Sequence, residues 1–214
     1  IGSDVSAVGT ARTHMAGARY GSGGTAIFAF GNTAGDNAIN TRNLVNNVGV
    51  VASDATGAGT ARYSVQAAEY GGDKAIFGFG NTGGYTAVTN LVTNVGVIGT
   101  DVSGVGTARQ SLAACTFGGD KAIFGFGKDG SNETSITNLV SNVGVVAANT
   151  NGVGAAREKL GACSFGGDTA YGDTAVAVGE WYHWACVYDG TNGYVYLNGI
   201  EDTGGSTTHS DPSL

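Results

Sequence analysis

Aromatic residues near the end of the chain are the side chains best suited to holding a ligand. Trp181, Trp184 and Tyr188 lie in the run WYHWACVY at 181–188. Successive residues of a strand point to opposite faces, so one set of these rings could stay exposed and stack on a sugar. These three residues are therefore the candidate ligand-binding residues.

Four arginines recur at intervals of 47 to 50 residues, each closing a small-residue segment: Arg12, Arg62, Arg109 and Arg157. Stacked at equivalent positions, they could line a channel and bind an anionic ligand. The alternative is that each guanidinium bonds to backbone carbonyls or to an Asp of a neighbouring repeat. We adopt this structural role for the repeated arginines.

Two aspartates precede glycine-rich loops and could offer oxygen ligands to Ca²⁺. They are Asp54 and Asp101, and the third repeat carries Asn149 at the same place. Asn serves a turn as well as Asp does. The pattern therefore favours turn residues, and we predict no metal site.

Catalysis needs a nucleophile with a base, paired carboxylates or clustered histidines. His14, His183 and His209 are scattered and lie near no Cys or acidic motif. We predict no enzyme activity, no catalytic residue and no cofactor.

The cysteines show neither a CxxC metal pattern nor an even disulfide framework. Cys115 and Cys163 hold the same place in successive repeats, and Cys186 stands apart. Equivalent positions in neighbouring repeats tend to lie farther apart than the limit of about 7 Å between the Cα atoms of a disulfide. The three thiols are predicted to be small core residues.

Composition excludes several classes of partner. The 214 residues include 39 Gly and one Pro, 42% are hydrophobic, and the net charge is −7. Ten scattered Lys and Arg argue against nucleic acid, and no apolar run approaches the length of a membrane span. The chain begins at Ile1 inside a repeat, which suggests a fragment or a processed product.

The repeat that carries these residues is about 48 residues long and predicts short strands joined by Gly and Asn turns. Each unit contains an aliphatic–aromatic run, AIFAFG at 26–31 and AIFGFG at 75–80 and 122–127. Alternation would place Ile with Gly on one face and Ala with both Phe on the other, with both faces buried. The later runs NLV and VGVV complete about four strands per repeat.

This pattern over residues 1–168 resembles the kelch repeat, with Arg before a small-residue strand, a Gly-rich turn and a strand ending in Phe-Gly. It departs from kelch in lacking the Gly-Gly pair after that strand and the Trp near the blade end. The resemblance implies an all-β propeller with three nearly complete blades and one partial blade.

The phrases TNLVSNVGVV and GGDKAIFGFG resemble repeats of structural and tail-associated proteins of marine bacteriophages. That resemblance implies a virion or extracellular location. The loops at 31–43, 80–89 and 127–137 vary while the framework barely changes, which is typical of a binding face on a rigid scaffold.

The segment 169–214 is different, since GEWYHWACVYDGTNGYVYLNG at 179–199 resembles late strands of the laminin-G and concanavalin-like lectin fold. The comparison makes Trp184 partly core. The run itself predicts a β-hairpin, which either completes the fourth blade or is a truncated lectin domain.

These observations predict a non-enzymatic structural or adhesive protein of a phage particle, of the tail-fibre or appendage type. Its partners would be a host-surface glycan or other virion proteins, and open strand edges would favour a homo-oligomer. The alternatives are a carbohydrate-active propeller enzyme such as a sugar isomerase, or a secreted cellular adhesin.

Overall fold

The computed structural model describes residues 8–130, 132–164, 184–188, 193–198 and 200–201. Every regular element among them is a strand, so the predicted all-β class is confirmed. The chain divides into two compact units, residues 1–165 and 166–214. Within the described residues no helix is long and apolar enough to cross a membrane.

The first repeat contains six strands in chain order: β1 (Ala16–Tyr20), β2 (Thr25–Ala29), β3 (Asn32–Thr33), β4 (Asn37–Ala38), β5 (Thr41–Val45) and β6 (Ala55–Thr56). The main sheet has the order β1-β2-β5-β6, and β3 pairs with β4 in a separate ribbon. All pairs are antiparallel. A glycine-rich turn joins β1 to β2, as the sequence predicts.

The second and third repeats rebuild the same sheet with three strands each. The second contains β7 (Gln66–Tyr70), β8 (Lys74–Gly78) and β9 (Thr89–Val92). The third contains β10 (Ala113–Phe117), β11 (Lys121–Gly125), β12 (Lys128–Asp129), β13 (Asn132–Glu133) and β14 (Thr137–Val140). The main sheets run β7-β8-β9 and β10-β11-β14, and β12 pairs with β13.

The prediction of a short strand at VGVV is wrong. This segment is a tight turn that returns for a single bridge in each repeat: Val45 with Val51, Val92 with Ile98, and Val140 with Val146. In the first repeat the Asn46 side chain accepts hydrogen bonds from the N–H groups of Val48 and Val50. Because that side chain and a positive-φ glycine, Gly49, fold the chain back, no extended strand forms.

The predicted placement of both Phe side chains on one face is also wrong. Phe30, Phe79 and Phe126 have φ of 62° to 64°, in the left-handed region. This breaks the alternation, so Phe79 joins Ile76 in the core with the third sheet, while Phe77 packs towards the first. A bulky residue accepts this backbone conformation only where its surroundings enforce it.

The three sheets pack one after another through these aromatic side chains. Phe77 meets Phe30 edge to face at 5.4 Å between ring centroids, and Phe124 meets Phe79 in the same way at 5.2 Å. A Cβ on Gly78 would lie 2.8 Å from the Phe124 ring, so glycine permits this close approach. The described residues form three repeated sheets and no closed propeller.

The second unit contains β15 (Trp184–Tyr188), β16 (Gly193–Leu197) and β17 (Ile200–Glu201) in one antiparallel sheet. Trp184 pairs with Leu197, and Tyr188 pairs with Gly193. The two strands of the predicted hairpin are therefore confirmed over these residues.

Candidate functional site

The buried arginines lie between neighbouring sheets. The Arg62 guanidinium carbon stands 4.1 Å from the ring centroid of Phe30, which belongs to the preceding repeat. Its Nε donates to the carbonyl of Phe79 at 3.0 Å, and its Nη1 donates to the carbonyl of Thr60 at 3.2 Å. One side chain thus links the backbone of its own repeat to an aromatic ring of the repeat before it.

Arg109 repeats this arrangement one sheet further on. Its guanidinium stands 4.1 Å from the ring centroid of Phe79, and its Nε donates to the carbonyl of Phe126 at 2.9 Å. Both arginines are fully buried. Burial lowers the pKa of Arg62 to about 10 and that of Arg109 to about 10, and a nearby aspartate opposes the shift in each case.

Because Arg62 and Arg109 expose no surface, neither can present its charge to a ligand in a channel. Each of them attaches its own sheet to an aromatic ring of the preceding sheet. A charge removed from water in this way is held by hydrogen bonds and the ring face.

The first and last arginines of the series have different surroundings. Arg12 donates through Nη2 to the side-chain oxygen of Asn43 at 2.5 Å and lies 3.7 Å from Asp54. Arg157 is exposed but keeps the ring contact, at 4.1 Å from the centroid of Phe126. The opening segment of a fourth repeat is therefore attached to the third sheet by the same contact.

Asp54 and Asp101 hold loops together. Asp101 accepts from the N–H and hydroxyl of Thr60 and from the buried side-chain amide of Asn90. Hydrogen bonding from Thr10 and Asn43 lowers the pKa of Asp54 against a smaller effect of burial. These contacts are those of turn residues, and the described residues contain no group of three or more His, Cys, Asp or Glu that could hold a metal.

Asn149 takes the aspartate's place in the third repeat. Its Oδ1 accepts from the N–H of Thr107 at 3.1 Å and from Asn138 at 3.1 Å. An uncharged side chain therefore accepts the same backbone and amide hydrogen bonds as Asp101, while its Nδ2 donates to the Thr107 hydroxyl at 2.8 Å instead of accepting from it.

A groove of about 200 Å³ runs across the first strands of the repeats. It is lined by the equivalent segments 17–19, 67–69, 114–116 and 162–164, and most of the side chains are small. Arg19 lies 3.9 Å from Glu69 here. Burial raises the pKa of Glu69, with Arg19 opposing the shift. Sequence reasoning missed this groove, although equivalent small residues in four repeats were its visible signal.

The cysteines differ from the prediction of core residues. Cys163 is exposed and Cys115 is half-buried, and both line the groove. The equivalent positions in the first two repeats are Ala18 and Ala68, which also line the groove. The side chain of Cys186 lies outside the described residues.

The predicted ligand-binding residues lie in or beside the second unit. Trp181 lies outside the described residues, and Trp184 and Tyr188 are the first and last residues of β15. Leu197, the partner of Trp184, is buried, while its neighbour Tyr196 is half-buried. Alternation places Tyr196 on the opposite face from Leu197, so it is a further aromatic candidate that the sequence reading did not select.

His14, the one histidine within the described part of the chain, has structural neighbours. Its Nδ1 lies 3.2 Å from the side-chain oxygen of Asn32, and its ring lies 6.3 Å from that of Tyr63. His183 and His209 lie outside the described residues.

Comparison with known families locates a lectin-like region in this chain. The profile of the Concanavalin A-like lectin/glucanases superfamily matches residues 116–213, a little less than half of the chain. The predicted resemblance of the tail to this fold is thereby confirmed. The matched range begins within β10, earlier than the predicted boundary after residue 168. No curated protein matches the chain.

Among solved structures, the chain is similar to a novel fungal alcohol oxidase with catalytic diversity among the AA5 family, in complex with copper. The two share 15% identity with a TM-score of 0.45. The similarity covers 61% of this chain and 28% of the oxidase, so the chain spans less than a third of that protein.

Proposed function

We propose that this chain is a non-enzymatic adhesive module that binds a surface glycan, with kelch-like repeats as its scaffold. The observation that carries the proposal is the match of residues 116–213 to a lectin and glucanase superfamily. Phage tail fibres and appendages are the setting that the sequence predicts for such a module, at the virion surface or outside the cell.

The repeats support a scaffolding role. Arg62 and Arg109 make the same contacts at successive sheets, and the Asp101 network of the second repeat recurs around Asn149 in the third. Such uniform use of polar side chains stabilises the stack and does not single out one repeat for chemistry. These structural residues recur because each sheet packs against the next one through the same contacts.

The loops between the second and third main strands differ among the repeats. The first carries the ribbon β3–β4, the second a single bridge between Asn81 and Tyr85, and the third the ribbon β12–β13. Because equivalent connections of stacked sheets emerge at the same edge, we expect the three variable loops to form one surface. This surface is the second place where a glycan or a virion protein would bind.

The test is binding of the full chain to an array of bacterial polysaccharides and defined oligosaccharides. We expect binding to a restricted set of glycans. Replacement Tyr196→Ala or Trp184→Ala should weaken binding at least tenfold, as expected when a stacking ring is lost. In the same assay, Tyr85→Ser tests whether the surface of the three variable loops contributes to binding.

A matched control is Val143→Ser, because Val143 is an exposed residue of a turn in the third repeat. Its binding should equal that of the parent chain. A folded chain that binds no glycan, no virion protein and no cell envelope overturns the proposal. Release of reducing sugar from a bound polysaccharide would replace it with a carbohydrate-active enzyme.

Oligomeric state is measured beforehand by light scattering coupled to gel filtration. Open sheet edges favour association with further copies, so we expect a defined oligomer. A monomer at all concentrations would remove the homo-oligomer from the proposal while leaving glycan binding to be tested.

A further inference from the structure

One row of equivalent residues crosses the groove of the first unit and ends in two thiols. Each member follows a left-handed residue by four positions, and the left-handed residues are His14, Ser64, Ser111 and Lys159. The row itself consists of Ala18, Ala68, Cys115 and Cys163. All four line the same groove.

Backbone hydrogen bonds give the ends of this row the same register. The N–H of Ser64 donates to the carbonyl of His14 at 2.9 Å, and the N–H of Lys159 donates to the carbonyl of Ser111 at 2.8 Å. Ala18 and Ala68 each follow the first of these bonds by four residues. Cys115 and Cys163 each follow the second by four residues. The segment that leads to Cys163 therefore begins beside β10 in the same register in which β7 begins beside β1.

Adjacent first strands approach closely beside this row. Next to it, the Thr116 hydroxyl on β10 donates to the carbonyl of Glu69 on β7 at 3.0 Å. A short side chain thus spans the gap between adjacent first strands. Cys115 and Cys163 occupy adjacent places of this row and are both free thiols. The close approach of these first strands therefore outweighs the general expectation that equivalent positions in neighbouring repeats lie too far apart for a disulfide.

We propose that Cys115 and Cys163 form a disulfide that fastens the opening segment of the fourth repeat to the third sheet. Without it, the attachments among the described residues are two backbone hydrogen bonds and the contact of Arg157 with Phe126. The bond would make the attachment covalent in an oxidising environment, where disulfides persist.

A small disulfide such as oxidised glutathione is the oxidant. The exposed Cys163 thiolate attacks it, forms a mixed disulfide and releases one glutathione thiolate. The Cys115 thiolate then attacks Sγ of Cys163, forms the protein disulfide and releases the second glutathione thiolate. The protein loses two electrons, the oxidant gains them, and the two protein thiol protons pass to the departing thiolates.

Burial raises the pKa of Cys115, and the neighbouring Cys163 raises it further. The thiolate is the attacking form. The closing step should therefore accelerate as the pH is raised above neutrality.

The experiment uses the full chain with Cys186→Ser, which leaves two thiols, treated with oxidised glutathione. Digestion with trypsin and Asp-N followed by mass spectrometry should give the 110–119 peptide of Cys115 joined to the peptide of Cys163. The chain should remain a single species of unchanged mass on a denaturing, non-reducing gel. Limited proteolysis within residues 142–160 should slow after oxidation.

Two control variants test whether the linkage is specific to Cys115 and Cys163. In Cys115→Ser the remaining thiol should end as a mixed disulfide with glutathione. In Ala68→Cys with Cys163→Ser, the new thiol should join Cys115, because it occupies the preceding place in the row. If this control closes while Cys115 and Cys163 stay separate, the proposal is wrong. Linkage of Cys163 to Cys186 in the parent chain, or to another molecule, would also overturn it.

Discussion

Replacement of Arg62 tests whether the buried arginines hold the sheets together. Arg62→Ala removes two hydrogen bonds to backbone carbonyls and the contact with the Phe30 ring. Bonds to a charged donor contribute about 1.5–3 kcal/mol each, and a desolvated cation–π contact about 2 kcal/mol. The substitution removes these favourable contributions to the free energy of unfolding.

Relief of burial offsets part of that loss. Burial lowers the pKa of Arg62 to about 10, which corresponds to a cost of roughly 3 kcal/mol for keeping the charge inside. The substitution also leaves the carbonyl of the buried Phe79 without this donor and opens a cavity. The net loss of unfolding free energy should be about 3–4 kcal/mol.

The assay is equilibrium urea unfolding followed by far-UV circular dichroism. Arg157→Ala is the matched control, because Arg157 makes the same ring contact at 4.1 Å but is exposed. It should cost about 0.5–1 kcal/mol. A double-mutant cycle with Phe30→Leu should give a coupling of about 1–2 kcal/mol for Arg62 and Phe30.

Two results would refute this reasoning. One is a loss for Arg62→Ala within measurement error of that for Arg157→Ala. The other is zero coupling with Phe30→Leu, which would mean that the ring contact contributes nothing to the attachment of adjacent sheets.

Four further substitutions, one of them a control, test the backbone and the carboxylates. Gly80→Ala should cost about 2–4 kcal/mol, since φ is +111° and the new Cβ would lie 2.6 Å from a carbonyl oxygen, whereas Gly84→Ala meets open space and should leave the thermal midpoint unchanged. Burial acts to raise the pKa of Asp101, but hydrogen bonds and a nearby arginine lower it overall; its contribution is present above the unfolded pKa of about 3.9 and is lost as pH falls through the folded value. Asp101→Asn, which copies Asn149, should therefore flatten the stability curve between about pH 5 and 3, and an unchanged curve would contradict this. Burial raises the pKa of Glu69, so its charge destabilises the fold above that pKa, and this penalty disappears as the pH falls through it. Glu69→Gln should therefore raise the thermal midpoint at pH 7 but leave it unchanged below the unfolded pKa of about 4.3.

Much of the fold could be read from the sequence because the signals are local. The repeat of about 48 residues, the Gly-rich turns and the runs AIFAFG and AIFGFG predicted the hairpins that the structure contains. The hairpin of the second unit was predicted in the same way, from alternation around an Asp-Gly-Thr-Asn-Gly segment. Strand and turn propensities act over a few residues, so one sequence is enough to recognise them.

The direction of the last Phe in each aliphatic–aromatic run depended on tertiary contacts. Alternation placed Phe79 with Phe77, but its left-handed backbone turns it towards the opposite sheet, where Arg109 covers its ring. No local propensity favours that conformation for Phe. The packing of a neighbouring sheet offsets its cost, and that neighbour is about 30 residues away along the chain.

The sequence by itself determined that the chain is a β repeat with arginines and cysteines at equivalent positions. Only the tertiary structure decided what those positions meet: Arg62 a ring of the preceding sheet, and Cys115 a groove that it shares with Cys163. The physical reason is that spacing along a repeat sets which residues are equivalent, whereas the contacts of equivalent residues depend on how adjacent sheets stack.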